Sequence, residues 1–90
     1  MKARIYISGQ ASSVFTIKRH LHDYSSKKDG RFNSFYLYYD TVGAAKKDLG
    51  SAWSEIKDCE CPSDSDGMGY RRESLRYDAA TAVIERSNEY

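Results

Sequence analysis

The segment RFNSFYLYYD, Arg31 to Asp40, decides how this chain folds, because aromatic side chains occupy both of its alternating faces. Strict alternation over this length predicts a β-strand. Phe35 and Leu37 share one face of that strand, and Tyr36 and Tyr38 share the other. One face can enter a hydrophobic core, so the second face needs another explanation.

Regular patterns on either side of this strand predict the elements that pack with it. ARIYISG, residues 3–9, has an apolar side chain at every second position, which is typical of a half-buried strand. Apolar residues at spacings of three and four predict two amphipathic helices. The stripe of the first helix is Val14, Ile17, Leu21 and Tyr24, with Ser12 or Ser13 as its N-cap. The stripe of the second helix is Val42, Ala45, Leu49, Ala52 and Ile56, with Asp40 or Thr41 as its N-cap.

The C-terminal part of the chain has two interpretations. RESLRYD and TAVIERS can form two strands of a hairpin in which Asp78 pairs with Thr81. Residues 78–88 can instead form a helix that Asp78 caps. We favour the hairpin, because it places the apolar side chains of both strands on one side.

These elements predict an α+β fold in a single domain of 90 residues. Their order is βαβαββ, and they form a two-layer sandwich with two helices on one face of a mainly antiparallel four-stranded sheet. The predicted sheet residues of the core are Ile5, Ile7, Phe35, Leu37, Leu75, Tyr77, Ala82 and Ile84.

The opposite face of the sheet is predicted to bind a partner. Tyrosine and arginine are enriched among the residues that contribute most to binding, and a large aromatic patch is rarely left exposed without a use. The predicted partner-binding residues are Arg4, Tyr6, Phe32, Tyr36, Tyr38, Arg72 and Arg76. The alternatives are that these rings only stabilise the sheet by cross-strand pairing, or that the binding surface is a basic patch at the end of the first helix. That patch comprises Lys18, Arg19, His22, Lys27 and Lys28.

Charge and composition narrow the class of protein. Fourteen Lys and Arg oppose thirteen Asp and Glu, a net charge of +1, whereas proteins that coat nucleic acid need a large positive excess.

No apolar run is long enough for a membrane span, and the N-terminal MKARIYISGQ lacks the apolar core of a signal peptide. A single residue separates Cys59 from Cys61, which disfavours a disulfide between them. We expect reduced thiols and a cytoplasmic protein.

Neither a metal site nor an active site is predicted. A calcium-loop spacing places ligands at Asp64, Asp66 and Glu73, but Pro62 occupies the first ligand position, so a polar loop is the better interpretation. The other potential ligands are His20, His22, Cys59 and Cys61, and they lack the spacing of a zinc site. The chain contains no glycine-rich phosphate loop and no nucleophile motif. We therefore expect a protein without cofactor or metal that is not an enzyme.

Two strands resemble those of the RNA-recognition motif. IYISGQ, residues 5–10, resembles its first signature strand, and FYLYYD, residues 35–40, resembles its second. The resemblance implies base stacking on Tyr6 and Tyr36, with Ser34 where an aromatic residue is expected. The family has two strands between its helices, whereas one is predicted here, and the C-terminal hairpin is foreign to it. Binding of RNA or DNA is therefore our alternative function.

The overall layout resembles a different group of proteins. YYDTVGAAKKDLGSAWSEIKD, residues 38–58, and LRYDAATAVIER, residues 75–86, lie in a small, tyrosine-rich chain without catalytic motifs. This layout is similar to that of the short phage and mobile-element proteins of the anti-CRISPR kind. The resemblance implies a stoichiometric inhibitor that occludes a site on a bacterial defence protein or complex. The low net charge also favours a protein partner over nucleic acid, and a domain that self-associates through the open sheet is the third hypothesis.

Overall fold

In the part of the chain that the structure describes, two helices pack against one face of a five-stranded antiparallel sheet. This computed structural model describes residues 2–25, 28–56 and 73–88. Its elements are β1 (Ala3–Gly9), α1 (Ala11–Lys18), β2 (Lys28–Arg31), β3 (Ser34–Tyr39), α2 (Val42–Glu55), β4 (Ser74–Tyr77) and β5 (Ala80–Arg86). The predicted α+β class with two helices is confirmed, but the predicted order βαβαββ lacks one strand.

The central strand of the sheet is β1. The strand order is β2-β3-β1-β5-β4, and every neighbouring pair is antiparallel. Without β4, the elements follow the order βαββαβ of the split βαβ fold. The chain therefore has two strands between its helices, and the expectation of a single strand there is wrong.

The strand that sequence patterns missed is β2, with the sequence KDGR. Among the strands that the structure describes, it pairs only with β3 and lies at the edge of the sheet. Gly30 has a φ of 156°, and a Cβ there would collide with the carbonyl oxygen of Ser34 and with the ring of Phe35. The Phe35 side chain thus occupies the place of a side chain on β2. Because edge strands commonly carry charged residues, such a strand can lack the apolar alternation that would predict it.

The core fills the space between the sheet and the two helices. Its fully buried larger side chains include Ile5, Ile7, Val14, Ile17, Leu37, Leu49 and Leu75. Phe35, Tyr77 and Ile84 are partly buried and pack against this core. Strand phase was therefore predicted correctly for β1, β3 and both C-terminal strands. Among the described residues, no helix is long and apolar enough to cross a membrane.

The helix ends differ in part from the predictions. α1 ends at Lys18, so the expectation that it continues to Tyr24 is wrong, although Leu21 and Tyr24 still pack against the core. Gln10 is the N-cap of α1 and makes no side-chain cap, unlike the serines expected there. Thr41 is confirmed as the N-cap of α2, where its hydroxyl accepts a hydrogen bond from Ala44 N at 3.0 Å.

The C-terminal hairpin is confirmed, and its register is shifted. Tyr77 pairs with Ala80, not Asp78 with Thr81, and Leu75 pairs with Ala82. Asp78 therefore lies in the turn, with a left-handed φ of 52°. Because the shift is two residues in total, every side chain keeps its predicted face.

The carboxylate of Asp48 on α2 joins three parts of the fold. The side chain is 1% exposed, in the middle of the buried stripe of α2. It accepts hydrogen bonds from the backbone N–H of His22 and of Asp23, at 3.1 and 3.0 Å, and from the Tyr39 hydroxyl at 2.5 Å. Burial, together with this hydrogen bond, raises the pKa of the Tyr39 phenol far above its usual range. Tyr39 therefore remains a donor, and Asp48 ties α2 to the chain after α1 and to β3.

We expect Asp48→Ala to lower the free energy of unfolding by about 2–4 kcal/mol, because it leaves buried donors without an acceptor. Tyr39→Phe removes only one donor and should cost about 1–3 kcal/mol. Urea unfolding followed by far-UV circular dichroism measures both. The control is Glu55→Ala on the same helix, where the carboxylate is exposed. An equal effect of Glu55→Ala and Asp48→Ala would contradict the anchoring role of Asp48.

Candidate partner-binding face

The open face is the side of the sheet that lies away from the two helices. Antiparallel pairing aligns its outward side chains in rows that cross the strands. The first row is Tyr38, Arg4 and Glu85. The second, here called the aromatic row, is Tyr36, Tyr6 and Val83. The third, here called the polar row, has one residue from each strand: Arg31, Ser34, Ser8, Thr81 and Arg76.

Three of the predicted binding residues form one stack on this face. The rings of Tyr6 and Tyr36 are stacked, with centroids 4.7 Å apart and planes at 22°. The guanidinium carbon of Arg4 lies 4.3 Å from the centroid of Tyr36. A cation over an aromatic ring at this distance is attracted by the negative face of the ring. Tyr36 is thus in contact with both a ring and a cation.

An ion pair fixes the position of Arg4. Its Nε donates to Glu85 Oε1 at 2.7 Å, from the neighbouring strand β5. Glu85 is missing from the residues predicted to bind a partner, although strand parity already places it on the open face. The pair neutralises the charge of Arg4 and holds its guanidinium beside Tyr36.

Of the described residues that were predicted to bind a partner, Tyr38 is the least exposed. It lies on the open face, as expected from parity, but its side chain is only 6% exposed. The Arg4 Nη1 donates to its hydroxyl at 3.4 Å, and Ser25 N donates to its carbonyl oxygen at 2.8 Å. Tyr38 therefore supports Arg4 and the chain after α1, and it offers little surface to a partner.

Phe32 does not lie in a strand, although the alternation over residues 31–40 predicted that it would. It occupies the turn between β2 and β3 and is 66% exposed. The turn changes the phase of the chain, so Arg31 lies on the open face, opposite Ser34. Arg76 is exposed on the open face as predicted. Arg72 lies outside the described residues.

The phenol of Tyr6 connects the aromatic row to the polar row. Hydrogen bonds from the hydroxyls of Ser34 and Ser8 lower the pKa of the Tyr6 phenol. The sequence offered no signal for this contact, which depends on the register of β1 against β3.

The basic patch is partly tied to other side chains. The Lys18 ammonium lies 5.2 Å from the centroid of Phe35, and His20 Nδ1 lies 2.9 Å from Glu55 Oε1.

Within residues 2–25, 28–56 and 73–88, no three His, Cys, Asp or Glu side chains form a group that could hold a metal ion. The other proposed ligands, Cys59, Cys61, Asp64 and Asp66, lie outside the described residues.

Comparison of the chain with protein-family models, curated proteins and solved structures finds no match. The candidate face therefore has to be interpreted from its own geometry.

The two faces of β3 should respond differently to truncation. Leu37→Ala removes a fully buried side chain and should destabilise the protein by about 2–5 kcal/mol. Tyr36→Ala removes one cross-strand ring pair and should cost about 1 kcal/mol. Thermal melts of the two variants measure the difference. If Tyr36→Ala unfolds the protein while Leu37→Ala leaves it folded, the open face is in fact the core.

Proposed function

We propose that this protein is a small non-catalytic inhibitor of the anti-CRISPR kind. It acts in the cytoplasm of a bacterial host, where its open face binds a bacterial defence protein or complex and occludes a functional site. The contact residues are those of the stack, Arg4, Tyr6 and Tyr36, with Arg76 and Phe32 at the margins of the face. Arg72 and Tyr38 were predicted to join them; Arg72 lies outside the described residues, and Tyr38 acts as a support.

The observation that carries this proposal is that the stack is assembled within the protein itself. Tyr6 and Tyr36 pack on each other, and Glu85 holds Arg4 against Tyr36. Binding immobilises flexible side chains at a cost of about 0.5–1.5 kcal/mol each, and groups that are already ordered avoid that cost. Rigid tyrosine and arginine anchors are typical of the residues that dominate protein interfaces.

The charges of the face favour a protein partner over nucleic acid. Affinity for nucleic acid rests on cations that replace the counterions of phosphates. The Arg4 cation is already paired with Glu85, and the whole chain carries a net charge of only +1. In addition, base stacking on Tyr36 would compete with the two groups that already contact its ring.

Binding of single-stranded RNA is the second candidate function, and one observation favours it. The chain has two strands between its helices, and Tyr6 and Tyr36 are direct cross-strand neighbours on β1 and β3. The RNA-recognition motif presents base-stacking aromatics on such a sheet. A shared fold does not determine function, however, and the paired state of Arg4 makes this candidate the weaker one.

The test is protection of a phage in bacteria that carry a CRISPR–Cas system targeting it. Expression of the wild-type protein should restore plaque formation in at least one such strain. Tyr36→Ala should remove most of this effect, because loss of an interface anchor costs about 2 kcal/mol or more of binding free energy. The control is Phe15→Ala, which truncates an aromatic residue that is 48% exposed on α1, in the other layer. Equal loss in both variants, or no protection in any strain, would contradict the proposal.

The salt dependence of binding separates the two candidates. An interface made by tyrosines and a paired arginine should lose less than about tenfold in affinity when salt rises from about 50 to 200 mM. An interface that neutralises several phosphates should lose about a thousandfold. The measurement is a titration of the partner that the wild-type protein captures from a bacterial lysate, at both salt concentrations, with and without nuclease.

A further inference from the structure

One ion pair joins β1 and β5 on the open face. Arg4 belongs to the central strand β1, and Glu85 is its register partner on β5. Arg4 Nε donates to Glu85 Oε1 at 2.7 Å, the length of a strong charge-assisted hydrogen bond. The two side chains are 24% and 35% exposed, so a partner that covers this part of the face meets both charges.

The pair keeps a cation beside the ring of Tyr36. The guanidinium carbon of Arg4 lies 4.3 Å from the centroid of that ring, against which Tyr6 is also stacked. The Tyr38 hydroxyl accepts from Arg4 Nη1 at 3.4 Å, which gives Arg4 a further support on the same face. A nucleobase that stacked on Tyr36 would compete with the guanidinium, and the carboxylate of Glu85 holds that guanidinium in place.

The negative charge of Glu85 also acts against nucleic acid. Phosphates bind where cations displace their counterions, and a carboxylate bonded to one of those cations opposes this exchange. Among the described strand residues, register assigns two acidic residues to the open face, Glu85 and Asp29. Asp29 lies on the edge strand β2, whereas Glu85 lies beside the central strand and contacts Arg4 directly.

A protein partner is not opposed in the same way. The ion pair presents charges of both signs, and a protein surface can match them with its own donors and acceptors. Specific binding commonly depends on a group that repels the wrong ligand as well as on groups that attract the right one. Glu85 has the charge and the position for the first of these roles.

Without the charge of Glu85, the face would carry the elements of a surface for single-stranded nucleic acid. Tyr6 and Tyr36 are direct cross-strand partners, and every base can stack on an aromatic ring. Arg4 adjoins this pair, and Arg31 is exposed on the same face at the end of β2. Aromatic rings beside cations are the combination that binds single strands with little regard to sequence.

We propose that Glu85 determines the specificity of the open face, because it excludes single-stranded nucleic acid and leaves the face to a protein. This inference rests on the proposed function, since it states how the partner-binding face selects its class of ligand. Glu85 acts through Arg4: it neutralises the guanidinium and keeps it beside Tyr36.

The test is a titration of a fluorescein-labelled oligouridylate with the isolated protein, followed by fluorescence anisotropy at about 50 mM salt, where surface charges are weakly screened. Glu85→Gln removes the negative charge and keeps an oxygen that can accept from Arg4. It should bind the oligonucleotide about fivefold more tightly than the wild type, because unit charges about 4 Å apart interact this strongly even in water. Its affinity should also fall more steeply with salt, by about 0.7 in the slope of log K against log salt for one additional phosphate contact.

Further variants identify the cause of the gain. Glu85→Ala also ends the hold on Arg4, so its gain should equal or exceed that of Glu85→Gln. The double variant Arg4→Gln, Glu85→Gln removes both charges and should return to the wild-type affinity. The matched control is Glu55→Gln, which removes the charge of an exposed carboxylate on α2, in the other layer. It should leave the affinity within about twofold of the wild type, because that carboxylate is remote from the open face.

Two results would overturn the role of Glu85. The first is an affinity of Glu85→Gln and Glu85→Ala no higher than that of Glu55→Gln, with each variant shown to be folded by far-UV circular dichroism. The second is a gain that persists in the double variant, because the effect would then not act through Arg4. The titration contains no defence complex, so its failure leaves the phage-protection assay unaffected, and failure of that assay leaves the oligonucleotide result unchanged.

Discussion

The buried carboxylate of Asp48 is the interaction on which the arrangement of this protein depends. It takes hydrogen bonds from two backbone N–H groups of the chain after α1 and from Tyr39 of β3. A buried carboxylate is costly unless its oxygens are satisfied, and here three donors satisfy them. The chain after α1 is thereby fixed beside β3, where Ser25 N also bonds to the carbonyl oxygen of Tyr38. From that point the chain continues to β2 at the edge of the sheet.

This anchor separates the roles of the two sheet faces. Tyr39 points into the helix layer and meets Asp48, while Tyr36 and Tyr38 on the same strand belong to the open face. The helix layer is fixed by its own core and by Asp48. The groups of the open face make a separate set of contacts with one another. Arg4 is the centre of that second set, since it bonds to Glu85 and Tyr38 and covers Tyr36. Folding and binding can therefore depend on different residues of one strand.

Strand phase and helix positions could be predicted from the sequence because apolar alternation and spacing record which side of an element is buried. The phase of Phe35 and Leu37 and the hairpin of β4 and β5 were predicted in this way. β2 could not be predicted, because its sequence KDGR has no apolar alternation. At Gly30, the ring of Phe35 on β3 takes the place of a side chain. The burial of Tyr38 depends on Arg4 and on the chain after α1, which strand parity does not show. Asp48 did leave a signal, a charged residue within the apolar stripe of the second helix.

The most direct test is hydroxyl-radical footprinting of the protein in the presence of a bacterial defence complex, the partner that we propose. Oxidation of side chains by the radical reports which aromatic groups the partner covers. Tyr6 and Tyr36 should lose reactivity on binding, while Phe15 on α1 should react as in the free protein. Protection of Phe15 with unchanged reactivity of Tyr6 and Tyr36 would contradict the proposal, because the partner would then bind the helix layer.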